Sequence, residues 1–181
     1  MISSKIRLLV YFTISWISIG TSYSQVWHPV SSNITFKIKM LGAEVVGKLS
    51  GFQGAIHFDP EHLAQSSIYG SVETNTIDTD NSLRNRHLKE KEGFFEVIKY
   101  PTISMKSLKI EANGESFVGT FALTMKGVTK NIRLPFSFIN EGENAIFKGS
   151  TIINRRDWQV GGGTIGMSED VEVSIVLNVK K

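Results

Sequence analysis

Period-two alternation of apolar and polar residues recurs along nearly the whole chain beyond its first two dozen residues. No other sequence feature narrows the fold as much. Ile34, Phe36, Ile38 and Met40 fall on one face, with Thr35, Lys37 and Lys39 on the other. Phe117, Gly119, Phe121, Leu123 and Met125 alternate with Val118, Thr120, Ala122 and Thr124. Ile132, Leu134, Phe136 and Phe138 alternate with Asn131, Arg133 and Ser137. Ala145, Phe147, Gly149, Thr151 and Ile153 face away from Lys148, Ser150 and Ile152, and Val171, Val173, Ile175, Leu177 and Val179 face away from Glu172, Ser174 and Asn178. A strand sends successive side chains to opposite faces, so each such segment is half buried and half solvated. Less regular strands are expected over 45–58, broken by Gly51 and Gly54, over 67–77 and over 102–110. Asp59-Pro60, Asn113-Gly114, Lys126-Gly127 and Glu141-Gly142 supply turn signals between them.

One stretch departs from this pattern. Residues 80–92 are polar and lack alternation. A short helix is expected there, capped by Asp80 or Asn81 and ended at Gly93. About eight one-faced strands and a single helix leave two economical solutions, a closed antiparallel barrel or a two-sheet sandwich. The 16 Gly, 4 Pro and 11 Phe suit turns and packed strands better than a helical bundle. The inward face mixes large apolar residues with Gly70, Thr74, Ala145, Gly149 and Thr151. Such a mixture surrounds cavities and also fills solid cores.

The N-terminus is a separate object. Lys5 and Arg7 precede an apolar run from Leu8 to Ile19, too short for the roughly 20 residues that span a bilayer. Gly20, Thr21 and Ser22-Tyr23-Ser24 follow. This order reads as a secretory signal peptide, residues 1–24, cut after Ser24. The expected mature domain is 25–181, periplasmic or secreted, with no stable membrane span after cleavage. Of the 20 basic residues, Lys5 and Arg7 lie in this leader, which leaves 18 against 17 acidic residues. That balance and the scatter of the basic residues argue against a nucleic-acid partner. The absence of cysteine excludes a disulfide framework, a zinc–cysteine site, a cysteine nucleophile and N-terminal cysteine lipidation.

Motifs for catalysis are weak. Gly161-Gly162-Gly163-Thr164-Ile165-Gly166 fits a dinucleotide pattern by letter, but a strand follows it rather than a helix, so a flexible loop is expected. His57 and His62 flank a turn and are not placed as a metal pair, with His28 and His87 elsewhere. Asp78, Asp80 and Asn81 resemble the start of a calcium loop but lack the glycine and terminal glutamate it needs. No nucleophile elbow is present. We therefore expect no enzyme, no metal and no cofactor. Arg84-Asn85-Arg86-His87-Leu88 and Asn154-Arg155-Arg156-Asp157-Trp158 each admit two readings. One is a cationic rim that meets a phosphate or carboxylate head group. The other is a set of polar contacts that fixes a helix or loop to the barrel.

Taken together, several short stretches resemble the YceI-like lipid-binding or polyisoprenoid-binding family of secreted bacterial proteins. They are Trp27 with 32–36, Gly47 through 54–60, 77–81, 84–88, Phe94-Phe95 with 100–103, 119–130, 153–155 with Asp157-Trp158, and Asp170-Val171. Asn85 departs from the acidic residue common after the first arginine, and Gln159 from the glycine common after the tryptophan. The resemblance implies an all-β, eight-stranded antiparallel, lipocalin-like barrel that holds an apolar chain and does not catalyse. An isoprenoid or fatty acyl lipid is the expected partner. Each buried CH₂ contributes about 0.8 kcal/mol, so about four or more prenyl units are needed for micromolar affinity once ordering costs are met. Phe36, Ile38, Met105, Phe121, Leu123, Phe136, Phe138 and Phe147 are the candidate lumen contacts. Arg84, His87, Arg155 and Trp158 are the candidate polar rim. The competing expectation is a filled barrel that acts as an exported interaction or stress-response protein. A homodimer is expected where open strand edges pair at a barrel mouth.

Overall fold

The alternating segments form nine strand segments in the computed structural model, which describes residues 25–181; the expected leader lies outside the described residues. They are β1 (Val26–Met40), β2 (Ala43–Leu49), β3 (Gln53–His57), β4 (Ser67–Glu73), β5 (Thr102–Asn113), β6 (Ser116–Met125), β7 (Val128–Glu141), β8 (Asn144–Asn154) and β9 (Asp170–Lys180). One helix, α1 (Ser82–Glu90), lies between β4 and β5.

Every pairing is antiparallel, and consecutive strands from β3 to β9 are neighbours. β1 pairs with β9 along Lys37–Glu172 to His28–Lys180, which closes the sheet on itself. On its other edge β1 meets β2 at Ile34–Leu49 and β3 at Val26–His57. Those pairs are eight residues apart on both strands, so β2 and β3 are one strand interrupted at 50–52. The barrel therefore has eight strands, as the alternation and the resemblance imply, and the two-sheet alternative falls with the β1–β9 seam. The interruption sits at Gly51 as expected, whereas Gly54, the other expected break, is paired within β3 opposite Gly70.

Tight turns explain the up-and-down order. The β6–β7 link, Lys126-Gly127, has φ of 49° and 72°, and the β1–β2 link, Leu41-Gly42, has φ of 51° and 83°. Two successive left-handed residues give a turn whose twist matches that of the flanking strands.

Inward side chains pack in two different ways along the barrel. At one end Phe58, which is 0% exposed, sits among Phe117, Phe136, Phe138 and Phe147 at ring-centroid distances of 4.9 to 5.8 Å. These contacts are edge-to-face, the arrangement that the ring quadrupoles favour. Trp27 joins this cluster against Phe138 and donates its indole N–H to the Phe58 carbonyl at 3.1 Å. At the other end the inward residues surround open space.

Helix α1 begins as expected: the Asn81 side chain accepts from the Arg84 N–H at 2.9 Å. It stops at Glu90, earlier than the glycine signal suggests, because Lys91 leaves the helical region. Gly93, at φ 83°, completes the turn that brings Phe94 and Phe95 back to the barrel. None of the helix residues is fully buried. The segment is a strap held at its two ends. At one end Lys48 of β2 and Asp78 exchange two backbone hydrogen bonds of 2.8 and 3.1 Å, and at the other the Gly161 N–H donates to Gly93 O at 2.6 Å.

Candidate functional site

A cavity of about 530 Å³ lies between the strap and the aromatic cluster. Ile34, Phe36 and Ile38 of β1, Met105 of β5, Leu123 of β6 and Val173 of β9 are among its walls. In this half the rings of Phe36 and Phe52 lie against glycines of the wall. A Cβ added to Gly47 would sit 2.2 Å from the Phe36 ring, so that ring rests on the backbone of its cross-strand partner. Phe52 lies in the same way over Gly54 and Gly70, at 2.8 and 2.7 Å. Phe52 also packs against the aromatic cluster and forms part of the cavity floor.

The strap presents Leu83, Arg84, His87, Leu88 and Lys91 to the cavity, at the spacing of one helix face. Arg84 is oriented by Thr79: its Nε donates to Thr79 Oγ1 at 2.8 Å, and an Nη donates to Thr79 O at 2.7 Å. Asn85 accepts from both the N–H and the hydroxyl of Thr79, and donates to Asp78 Oδ1 at 2.8 Å. That amide bond, then the Asp80 N–H and the Lys48 ammonium at 3.2 Å, hold the Asp78 carboxyl below the usual carboxylate range. Asp78, Asp80 and Asn81, which resemble a calcium loop in sequence, thus serve to anchor and cap the strap. Asn85, the departure from the family pattern, is the hub of this network.

Arg155 shapes the opposite rim. It is buried, and its guanidinium donates to the carbonyls of Ser168, Val160, Gly162 and Met167 at 2.6 to 3.3 Å. Burial, with the neighbouring Arg156 charge, lowers its pKa, although arginine stays charged at physiological pH. No carboxylate lies within ion-pair distance of Arg155 or Arg84 among the described residues. Arg155 therefore organises the 159–168 loop, which carries the glycine-rich motif and leads into β9 with no helix. Among the described residues the charged side chains on the cavity wall are Arg84, Lys91 and Arg155, with His87 beside them and no Asp or Glu.

The residues singled out from sequence divide between two places. Phe36, Ile38, Met105 and Leu123 line the cavity, and so do Arg84, His87 and Arg155. Phe121, Phe136, Phe138 and Phe147 lie in the packed end, away from the cavity wall. Periodicity tells the face of a strand but not the depth along the barrel. Trp158 stands behind the wall, where it packs near Leu123, Met125 and Ile153 and donates its indole N–H to Leu123 O at 3.1 Å. Gln159 follows it at φ 58°, a conformation that accounts for glycine being common there. Phe52 and Lys91 line the cavity without having been singled out. Lys91 stands four residues beyond His87, so helical spacing already carried its signal. Among the described residues no three His, Asp or Glu side chains cluster to hold a metal, and no helix is long and apolar enough to cross a membrane.

Comparison with known proteins places this geometry among relatives. The family model for the YceI-like domain matches residues 26–179. A UPF0312 protein of Pseudomonas aeruginosa is 31% identical over 147 residues, which is 77% of this chain and 76% of the relative. The crystal structure of BcnA from Burkholderia cenocepacia superposes with a TM-score of 0.76 at 24% identity, over 81% of this chain and 95% of that one. A polyisoprenoid binding domain from Saccharophagus degradans shares the fold with a TM-score of 0.66 at 15% identity, over 88% of this chain and 99% of that one.

Proposed function

The chain belongs to the YceI-like domain family, and on that premise we propose that it is an exported, non-catalytic protein that holds an isoprenoid or other long-chain lipid in its barrel. The single observation that carries this reading is the apolar cavity of about 530 Å³ between strap and floor. Its size falls within the roughly 300–1,000 Å³ of small-molecule sites. The polyisoprenoid binding domain from Saccharophagus degradans supports the chemical class.

The tail would lie along Ile34, Phe36, Ile38, Met105 and Leu123, with its tip toward Phe52. Its head would rest beneath the strap. The charged groups there, Arg84, Lys91 and Arg155, are all basic, which favours an anionic or strongly polar head. An apolar wall reads length and apolarity but makes few hydrogen bonds, so double-bond pattern is read weakly. Residues 1–24 would direct export and be removed, which leaves the 25–181 domain periplasmic or secreted. Among the described residues the outer edge of β2 meets no further strand beyond the single Lys48–Asp78 bridge, and it is where a homodimer would pair.

Gentle purification of the exported protein, organic extraction and mass spectrometry test the reading. One long-chain lipid per protein is expected, and an emptied sample should take up added isoprenoids or fatty acids. Clean extracts together with no uptake of either would favour a ligand-free interaction or stress-response barrel instead.

A further inference from the structure

Three exposed aliphatic side chains surround the cavity mouth, and each comes from a different segment. Leu41, in the β1–β2 turn, is 77% exposed. Its φ of 51° is a conformation that a bulky residue adopts with strain and that asparagine or glycine would adopt readily. Exposure and strain both count against leucine here, and its contacts with the fold are with Gly166. Its N–H donates to Gly166 O at 2.7 Å, and its side chain lies over Gly166, where an added Cβ would be 2.3 Å from Cδ2. The next residue back, Ile165, is 90% exposed. Leu83, 58% exposed, stands on the first turn of the strap and also lines the cavity. Met40 and Met167, which bridge the two loops, line it too. Single exposed aliphatics are ordinary on protein surfaces, but several gathered at one opening mark an interaction site.

We propose that this mouth docks on an anionic lipid surface, with Leu41 and Ile165 entering the interface and the cationic groups at the mouth, Arg84 and Lys91, facing the head groups. The charge complement is on the same rim. Over 78–93 the strap balances four basic against four acidic residues, but only Arg84 and Lys91 of these reach the cavity wall, and Asp78, Asp80, Glu90 and Glu92 do not. Basic groups near an anionic leaflet are attracted over about a Debye length. The tips are small and separate, which suits shallow insertion between head groups better than a flat protein interface. The inference rests on the carrier reading: a chain that leaves the cavity here would pass into a bilayer without crossing water.

Flotation of the mature protein with vesicles tests this, using phosphatidylethanolamine with phosphatidylglycerol and, separately, phosphatidylcholine alone. The key variant combines Leu41→Asn and Ile165→Ser. Neither residue lines the cavity, and asparagine suits the φ of Leu41, so folding and uptake of a dansylated undecanoic acid from solution should be unchanged. The wild type should float with the anionic vesicles, more weakly in high salt, and the variant should lose about tenfold or more in partition. Equal flotation of both proteins, or none by the wild type, overturns the proposal. So does a wild-type dimer that the variant breaks, since a second copy would then cover the tips. Flotation without uptake of any chain would sink the carrier reading and leave the docking surface standing.

Discussion

The two ends of this barrel use the same alternation and many of the same residue types, yet one end is solid and the other hollow. In the solid end most aromatic rings meet rings, although Phe121 lies on Gly119. Phe58 follows β3, occupies the axis and touches four phenylalanines edge-on. In the hollow end aromatic rings meet glycines. Phe36 lies on Gly47, and Phe52 on Gly54 and Gly70, so the rings line the wall and leave the axis free. A ring resting on a glycine is not by itself the difference, since Phe121 does so in the solid end too; what the solid end has in addition is Phe58 and the four rings around it.

Three experiments put this contrast to the test. The largest effect belongs to Phe58→Ala, which hollows the solid end. A loss of about 3–5 kcal/mol in unfolding free energy is expected, measured by chemical denaturation. A loss below about 1 kcal/mol would mean that the aromatic cluster does not hold the barrel together. The second is Gly47→Val, which fills the hollow end from its wall. The new side chain would occupy the place of the Phe36 ring and swing that ring toward the axis. Strain should cost about 1–3 kcal/mol, and uptake of a fluorescent acyl chain should fall by more than the stability loss explains. Unchanged uptake would show that the ring's resting place on Gly47 does not govern the lumen.

The smallest effect concerns the strap. The folded pKa of Asp78 is depressed, first by the Asn85 amide and then by the Asp80 N–H and Lys48. Its contribution is therefore complete above the unfolded aspartate value of about 3.9 and is lost as pH falls through the lower native value. Pepsin should begin to cut within α1 on acidification before it cuts the barrel strands, and Asp78→Asn should remove that pH dependence. Simultaneous cutting of strap and strands would show that Asp78 does not govern the strap.

Much of this architecture was legible in the sequence because strand faces obey a short period. The eight strands, the break at Gly51 and the Asn81 cap all follow from local pattern. What was not legible depends on register and on contacts across the barrel. Phe36 and Phe136 both point inward, but only the pairing of distant strands puts one in the hollow end and the other in the solid end. Phe52 lies in the gap between β2 and β3, where alternation cannot be counted. The partners of Arg155 are backbone carbonyls of a glycine-rich loop, which leave no mark in residue type.

The seam between β1 and β9 sets an order of events. Residues near the beginning of the domain find half their hydrogen-bond partners in its final dozen residues. A chain that emerges from its N-terminus during synthesis would hold an unzipped sheet until the last strand emerged, with unpaired edges exposed to aggregation. Deletion of Asp170–Lys180 would leave that seam permanently open.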